Sequence, residues 1–321
     1  MKNIFLTGER PTGNLHIGHL FGSIKNRLRI QKKNKIFIII ADNQLNKKEK
    51  KKKKKNIIKI MMDYMSLGIN KKKSCIFLQS KIKELLEINY FLSNFININV
   101  LKRNPIVRNI CSKRNISCNE FFYPISQSSD ILLFNANLIP VGEDQLSMLE
   151  ITNKIVKNVN FFFKKEIFRR CSAILSKNKK IIGTDGINKM SKSLKNTIPI
   201  NCKKKKLRNI IKKLKTDHEK KTISSPGNHK NSVVFNYLKL FMKGKKYALL
   251  KEMYGKGKIS DIRTKEILFR RIWKKINLFK KRRSKIKKSS IKKTLRNNNI
   301  EAKRYAKKRI NFIKKKSNNF F

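Results

Sequence analysis

The chain carries only four histidines, and two of them fall in one string, Gly8-Glu-Arg-Pro-Thr-Gly13-Asn-Leu-His16-Ile-Gly18-His19. A spacing of three puts His16 and His19 on one side of a helix start. The glycines permit a tight turn and let backbone approach a ligand. A helix N-terminus attracts phosphate through its free N–H groups and its dipole. Two imidazoles beside a triphosphate can donate hydrogen bonds to charge developing on the α-phosphate. The plainer alternative is a pair of cap or solvent histidines.

A second cluster is Lys189-Met-Ser-Lys-Ser193, which follows the turn Gly183-Thr-Asp-Gly186. Two lysines and two hydroxyls in five residues form an anion clamp. Lysine is a mobile point charge suited to a departing pyrophosphate. Among so many lysines a K-x-x-K spacing carries nothing by itself; the full string KMSKS does.

A third group is Tyr123-Pro-Ile-Ser-Gln127-Ser-Ser-Asp130 together with Pro140-Val-Gly-Glu-Asp144-Gln145. Asp130 can accept a hydrogen bond from an indole N–H or a phenol. Gln145 can bind an amino or carboxylate group, and Asp144 at a helix start can hold ribose hydroxyls. A helix cap at Asp144 and a surface acid at Asp130 are the competing assignments. Arg10 can sit over phosphates or serve as an ordinary surface arginine. Asn43 and Gln44 can line a pocket or cap a turn.

These clusters need elements to hold them. Residues 3–7 form an apolar run stopped by Gly8. Apolar positions recur at helical spacing over 17–31, and residues 36–40 are a continuous β-branched run. Strand, helix and strand within about 40 residues make a βαβ unit, which predicts a parallel sheet. A lysine block at 47–55 predicts a solvated loop or a helix start. Beyond it the pattern predicts helices at 56–67 and 81–96, a strand at 75–78, a helix at 128–135, a strand at 138–141, a helix from 142 to 159 and a short strand at 180–184. After about 195 the strand-like runs give way to Lys/Arg-rich helical patterns, ending in an amphipathic basic tail at 262–318. The expected fold is α/β, with a Rossmann-type parallel-sheet domain at 1–195 followed by an all-α domain at 196–321.

Composition narrows the class. The 321 residues carry 81 Lys plus Arg against 19 Asp plus Glu, a formal charge of +62. Such a chain attracts polyanions, nucleic acid first among them. Compositional drift in an AT-rich genome, favouring Lys, Asn, Ile and Phe codons, produces the same excess without selection for binding. The five cysteines show no CxxC pair and no metal-ligand spacing, so no protein-bound metal is expected. The N-terminus has no signal-peptide core, and no apolar run approaches the roughly 18 residues of a membrane helix. The expectation is a soluble cytoplasmic protein without a membrane partner.

With these residues on the page, the chain resembles the tryptophanyl-tRNA synthetases of class I. TGERPTGNLHIGHLFGSIKNRL is similar to that family's first motif region, FIIIADNQ to its second-strand segment and GTDGINKMSKSLKNTI to its second motif. YPISQSSDILLFNANLIPVGEDQLSMLEITNKIV is the most similar stretch and favours tryptophan over tyrosine. PGNHKNSVVFNYL resembles part of the helical region. The resemblance covers about residues 3–245. The lysine-rich loop after Gln44 and the C-terminal region depart from it.

The resemblance implies a Rossmann-type catalytic domain, a helical domain that reads the anticodon, a homodimer, and ATP with Mg2+ as a substrate complex. It implies ATP contacts at Arg10, Pro11, Thr12, Gly18, His19, Gly142, Glu143, Asp144, Ile181, Lys189, Met190, Ser191, Lys192 and Ser193. It implies tryptophan contacts at Tyr123, Gln127, Asp130 and Gln145. His16, His19, Lys189 and Lys192 are the expected catalytic groups, and tRNA(Trp), tryptophan and ATP the expected partners. The rivals are a tyrosine–tRNA ligase, another nucleotidyltransferase with an HxGH turn, and a basic nucleic-acid-binding protein without activity. The charge carries its own test. Binding to unrelated RNA should weaken by at least about tenfold between roughly 50 and 200 mM salt, measured by filter binding. A flat response would make the charge irrelevant to RNA.

Overall fold

Continuous apolar runs become the interior strands. In the computed structural model, which describes residues 3–112, 116–176 and 181–320, the strands are β1 (Phe5–Glu9), β2 (Ile36–Ile40), β3 (Ser74–Leu78), β4 (Leu138–Val141) and β5 (Ser172–Leu175). Among the described residues they form one parallel sheet in the order β3-β2-β1-β4-β5. The chain runs outward from β1 to β3, then returns to the other side of β1. The strand order therefore reverses between β1 and β4, and the crevice beyond their carboxyl ends is where such sheets bind ligands.

The period-two alternation of the strands divides the core into two faces. Phe5, Ile36, Ile38, Ile40, Ile76 and Leu78 bury against one set of helices. Leu6, Phe37, Ile39, Cys75 and Phe77 bury against the other. The first face takes the helix Lys53–Leu67 and the later helices Val233–Phe241 and Asp261–Ser284. The second takes Glu84–Ser93, Tyr123–Leu133 and Leu146–Phe162.

The last helix, Lys288–Lys316, joins both faces. Its Ile291 and Leu295 belong to the first core, and its Ala302, Ala306, Ile310 and Ile313 to the second. It covers the edge strand β3 as it passes. The Leu78 N–H donates to Asn299 Oδ1 at 3.0 Å and the Cys75 thiol to the Asn298 carbonyl at 3.5 Å. The helix thereby covers the edge strand, which would otherwise be open to foreign pairing.

Several elements differ from the sequence expectation. Residues 17–30 are helical throughout, but Leu20–Ile24 takes π geometry between the α segments Ile17–His19 and Lys25–Ile30. The lysine block splits into Lys47–Lys50, closed by a reciprocal Asn46–Glu49 capping box, and the start of Lys53–Leu67. The short helices Ile98–Arg103, Pro105–Cys111 and Cys118–Phe121 carry too few turns to show a period. β5 escaped the pattern because it is four residues long and half-exposed at the sheet edge.

The strand expected at 180–184 is instead one arm of a hairpin. Ile182 makes an isolated antiparallel bridge with Lys189, and Lys180 lies outside the described residues. After residue 200 come the helices Lys204–Lys212, Val233–Phe241, Lys245–Gly255, Asp261–Ser284 and Lys288–Lys316, so the basic tail is two long helices.

Phe134 tests the docking of the last helix. It is fully buried, and its ring stacks on Phe77 at 4.7 Å and on Tyr305 at 5.7 Å between centroids. Phe134→Ala should cost about 3–5 kcal/mol in urea unfolding. A loss below about 1 kcal/mol would mean that the aromatic stack does not anchor Tyr305 and its helix.

Candidate active site

Three segments meet at the crevice between β1 and β4: the turn after β1, the loop after β4 and the 181–190 hairpin. Lys192 Nζ donates to Thr12 Oγ1 at 3.1 Å. Lys189 Nζ pairs with Asp144 Oδ1 at 2.8 Å. The second cluster therefore touches both other segments. Main chain reinforces the join. The Ile17 N–H donates to the Ile198 carbonyl and the Ile200 N–H to the Leu15 carbonyl, each at 3.0 Å, beside a bridge between His16 and Pro199. Gly18 is tight here: a side chain would meet His16 Nδ1 at 2.8 Å and Met190 Sδ at 3.3 Å.

Asn196 holds the hairpin in shape. It is buried; its Oδ1 accepts from the Ser191 N–H at 2.7 Å, and its Nδ2 donates to Asp185 Oδ2 at 2.9 Å and to the Lys189 carbonyl at 3.3 Å. Asp185 in turn accepts from the Ile187 and Asn188 N–H groups. Gly183 is required beside them, since a Cβ there would run into the Asn196 amide.

The histidines sit in a closed network. The His16 and His19 rings lie 3.7 Å apart. His19 Nδ1 accepts from the His16 N–H at 3.2 Å, so the ring proton is on Nε2, which faces Glu9 Oε1 at 3.3 Å. Glu9 also faces Arg27 at 3.6 Å, and buried Arg27 donates to the Tyr64 hydroxyl at 2.7 Å and the Gly8 carbonyl at 3.2 Å. Burial alone would raise the Glu9 pKa, but His19, Arg27 and Lys192 hold it at about 2. Burial, helped by His19 and Lys192, pushes His16 down to about 2, so it stays neutral. Its buried Nδ1 has no partner among the described residues. A hydrogen bond from His19 to a phosphate requires its Nε2 to leave Glu9.

Burial lowers the Lys192 ammonium while Glu9 opposes it. Burial would raise Asp144, but hydrogen bonds from Lys189 and Gln145 hold it below the usual carboxylate range.

The third group lines the neighbouring part of the crevice. Asp130 is buried on the helix Tyr123–Leu133, and both its oxygens accept from Gln79 Nε2 at 2.9 Å. Burial raises its pKa to about 7, with Gln79 opposing. Gln127 Nε2 reaches Gln145 Oε1 at 3.5 Å, and Gln145 Nε2 donates to Asp144 Oδ2 at 3.0 Å. Burial raises the Tyr123 phenol; Arg10 works against that shift while Asp130 and Asp144 add to it. Gln79 Oε1 and Gln127 Oε1 are buried acceptors without a protein partner among the described residues. A ligand that brings N–H donors suits them.

Residues 1–272 match the class I tRNA synthetases (W and Y). The chain belongs to that family. A tryptophan–tRNA ligase of Streptococcus pyogenes serotype M3 is 36% identical over 282 residues, covering 83% of this chain and 83% of that protein. Another from Streptococcus mutans serotype c is 35% identical over 305 residues, covering 90% and 89%. The tryptophanyl-tRNA synthetase of Campylobacter jejuni, solved with ADP and tryptophane, superposes with a TM-score of 0.87 at 32% identity, covering 98% and 99%.

In this synthetase the predicted residues differ in exposure. Pro11, His16, Asp130, Ile181 and Met190 are buried; Thr12, Gly18, His19, Tyr123, Gln127, Gly142, Gln145, Ser191 and Lys192 are half-buried; Arg10, Glu143, Asp144, Lys189 and Ser193 are exposed. Ile181 joins the group through its carbonyl, which accepts from the Met190 N–H at 2.8 Å. Asn43 and Gln44 lie in a short 3-10 turn after β2. Sequence reasoning passed over Glu9, Gln79 and Asn196. Their one signal was a polar side chain closing an apolar strand or a motif string.

Asn196→Ala should leave the KMSKS hairpin without three hydrogen bonds. The adenylate-forming rate should fall at least about tenfold in pyrophosphate exchange, with the amino-acid KM little changed. An unchanged rate would mean that the hairpin keeps its shape without Asn196.

Proposed function

We propose that this chain is a tryptophan–tRNA ligase that activates tryptophan with ATP and transfers it to tRNA(Trp). The observation that carries the mechanism is the bridging of the crevice by Lys192 to Thr12 and by Lys189 to Asp144. Both ammonium groups are thereby held where a triphosphate would enter. Tryptophan carboxylate attacks the α-phosphate in line and expels pyrophosphate. Lys189 and Lys192 stabilise the charge that builds up, and His16 and His19 lie at the helix start beside it, so the rate comes from position and electrostatics. Mg2+ arrives with ATP and neutralises its phosphate oxygens. The terminal ribose hydroxyl of tRNA then attacks the carbonyl of the adenylate, takes the aminoacyl group and releases AMP.

Arg10, Pro11, Thr12, Gly18, His19, the 142–144 loop, Ile181 and the 189–193 string bind ATP in this proposal, and Tyr123, Gln127, Asp130 and Gln145 bind tryptophan. Asp130 selects the side chain, since a buried carboxylate left unpaired penalises ligands without a donor. Residues 1–195 act as the catalytic domain and 196–321 as the anticodon-binding domain. The enzyme works as a homodimer in the cytoplasm. Among the described residues, no helix is long and apolar enough to cross a membrane.

Pyrophosphate exchange should proceed with tryptophan and not with tyrosine. Asp130→Ala should lower tryptophan-dependent exchange by about a hundredfold or more while ATP still binds. Exchange supported equally by tyrosine, or undiminished in the variant, would overturn the assignment.

A further inference from the structure

We propose that Gln79 is a specificity-determining positioning residue: its side-chain amide holds the Asp130 carboxylate ionised and oriented, so that the pocket accepts a ligand that only donates. This rests on the assignment of Asp130 to the tryptophan pocket. Gln79 is 3% exposed and Asp130 is 5% exposed. One amide nitrogen lies 2.9 Å from each carboxylate oxygen. The amide shares one N–H between the two oxygens, and each oxygen keeps a lone pair for a ligand. Among the described residues no other side chain donates to Asp130, which leaves Gln79 as its sole fixed orienter.

Gln79 is itself held from both sides. The preceding Leu78 N–H is tied to Asn299 on the last helix. The following Ser80 donates its N–H to Asp42 Oδ1 at 2.9 Å and its hydroxyl to Asp42 Oδ2 at 2.6 Å. Asp42 is fully buried and paired with Lys53 at 2.6 Å. Gln79 therefore sits on a stretch fixed at both neighbours, the arrangement a positioning group needs.

The charge state follows from the same contacts. A hydrogen bond donated to both oxygens favours the carboxylate over the protonated acid. Burial drives Asp130 the other way, to about 7 even with Gln79 opposing. Without the amide, the acid form would dominate at neutral pH. An indole N–H is a donor only and pairs best with a carboxylate. A phenol both donates and accepts, so it can pair with either form. Loss of Gln79 thus weakens tryptophan selectively.

The test is pyrophosphate exchange with tryptophan and with tyrosine from about pH 6 to 9. Wild-type kcat/KM for tryptophan should rise with pH through the Asp130 titration. Gln79→Met should lower it at least about tenfold at neutral pH, mostly through the tryptophan KM, and move the midpoint up by about one unit. Most of that loss should return at the alkaline end, the ATP KM should not move, and the preference over tyrosine should narrow. Gln79→Asn keeps the amide but withdraws it, and should shift the same quantities in the same direction by less, which preserves the test if the methionine variant does not fold. An unmoved midpoint with unchanged discrimination in the folded variants would overturn the role of Gln79. Asp130→Asn separates the two assignments: full tryptophan activity in that variant would remove Asp130 from the pocket, whereas its loss alongside unaffected Gln79 variants would sink only the present inference.

Discussion

Two ammonium groups span the crevice at the centre of the sheet, Lys192 on Thr12 and Lys189 on Asp144. Those two contacts join three segments that are far apart in the chain. They bring a string near residue 190 against a turn near residue 12 and a loop near residue 144. The sheet order makes this possible: β4 lies beside β1 although about 130 residues separate them. The main-chain bonds between 15–17 and 198–200 then fix the distance. Asn196 ties the hairpin together through Ser191 and Asp185.

The scarcity of acids sharpens this picture. With 19 acids against 81 basic residues, a carboxylate near the crevice rarely stands alone. Glu9 meets His19 and Arg27, Asp63 meets Arg283, Asp42 meets Lys53, and Asp144 meets Lys189. Asp63 is notable because its carboxylate also accepts weakly from the Leu15 N–H at 3.5 Å, one residue before His16. A residue of the helix Asp261–Ser284 thereby braces the floor of the first motif. Asp130 faces a neutral amide instead of a cation, and burial raises its pKa to about 7. A carboxylate without a cation partner is one whose remaining lone pairs can serve a neutral donor.

Much of this fold was legible in the chain. β1 through β4 came from unbroken apolar runs, and the helical character after 195 from the loss of such runs. β5 was not legible, because four half-exposed residues at an edge give no period. The hairpin at 181–190 was mistaken for a strand because its first arm is apolar; its single bridge is local. The motif strings were readable as strings, and their residue types named the chemistry. What they could not reveal was which neutral side chains hold them. Gln79 meets Asp130 across 51 positions, and a glutamine at a strand end looks like any polar cap. Glu9 stands inside the first motif string without a role of its own, while in the fold it faces both His19 and Arg27. These are contacts made by folding, and no local pattern announces them.

The turn at 12–19 and the hairpin at 181–193 are expected to close on one nucleotide. Hydrogen exchange read by mass spectrometry, with and without ATP and Mg2+, tests it most directly. ATP should slow exchange in both segments together, at the same half-saturating concentration. Protection confined to one of them, with the other unchanged at saturation, would contradict a shared site.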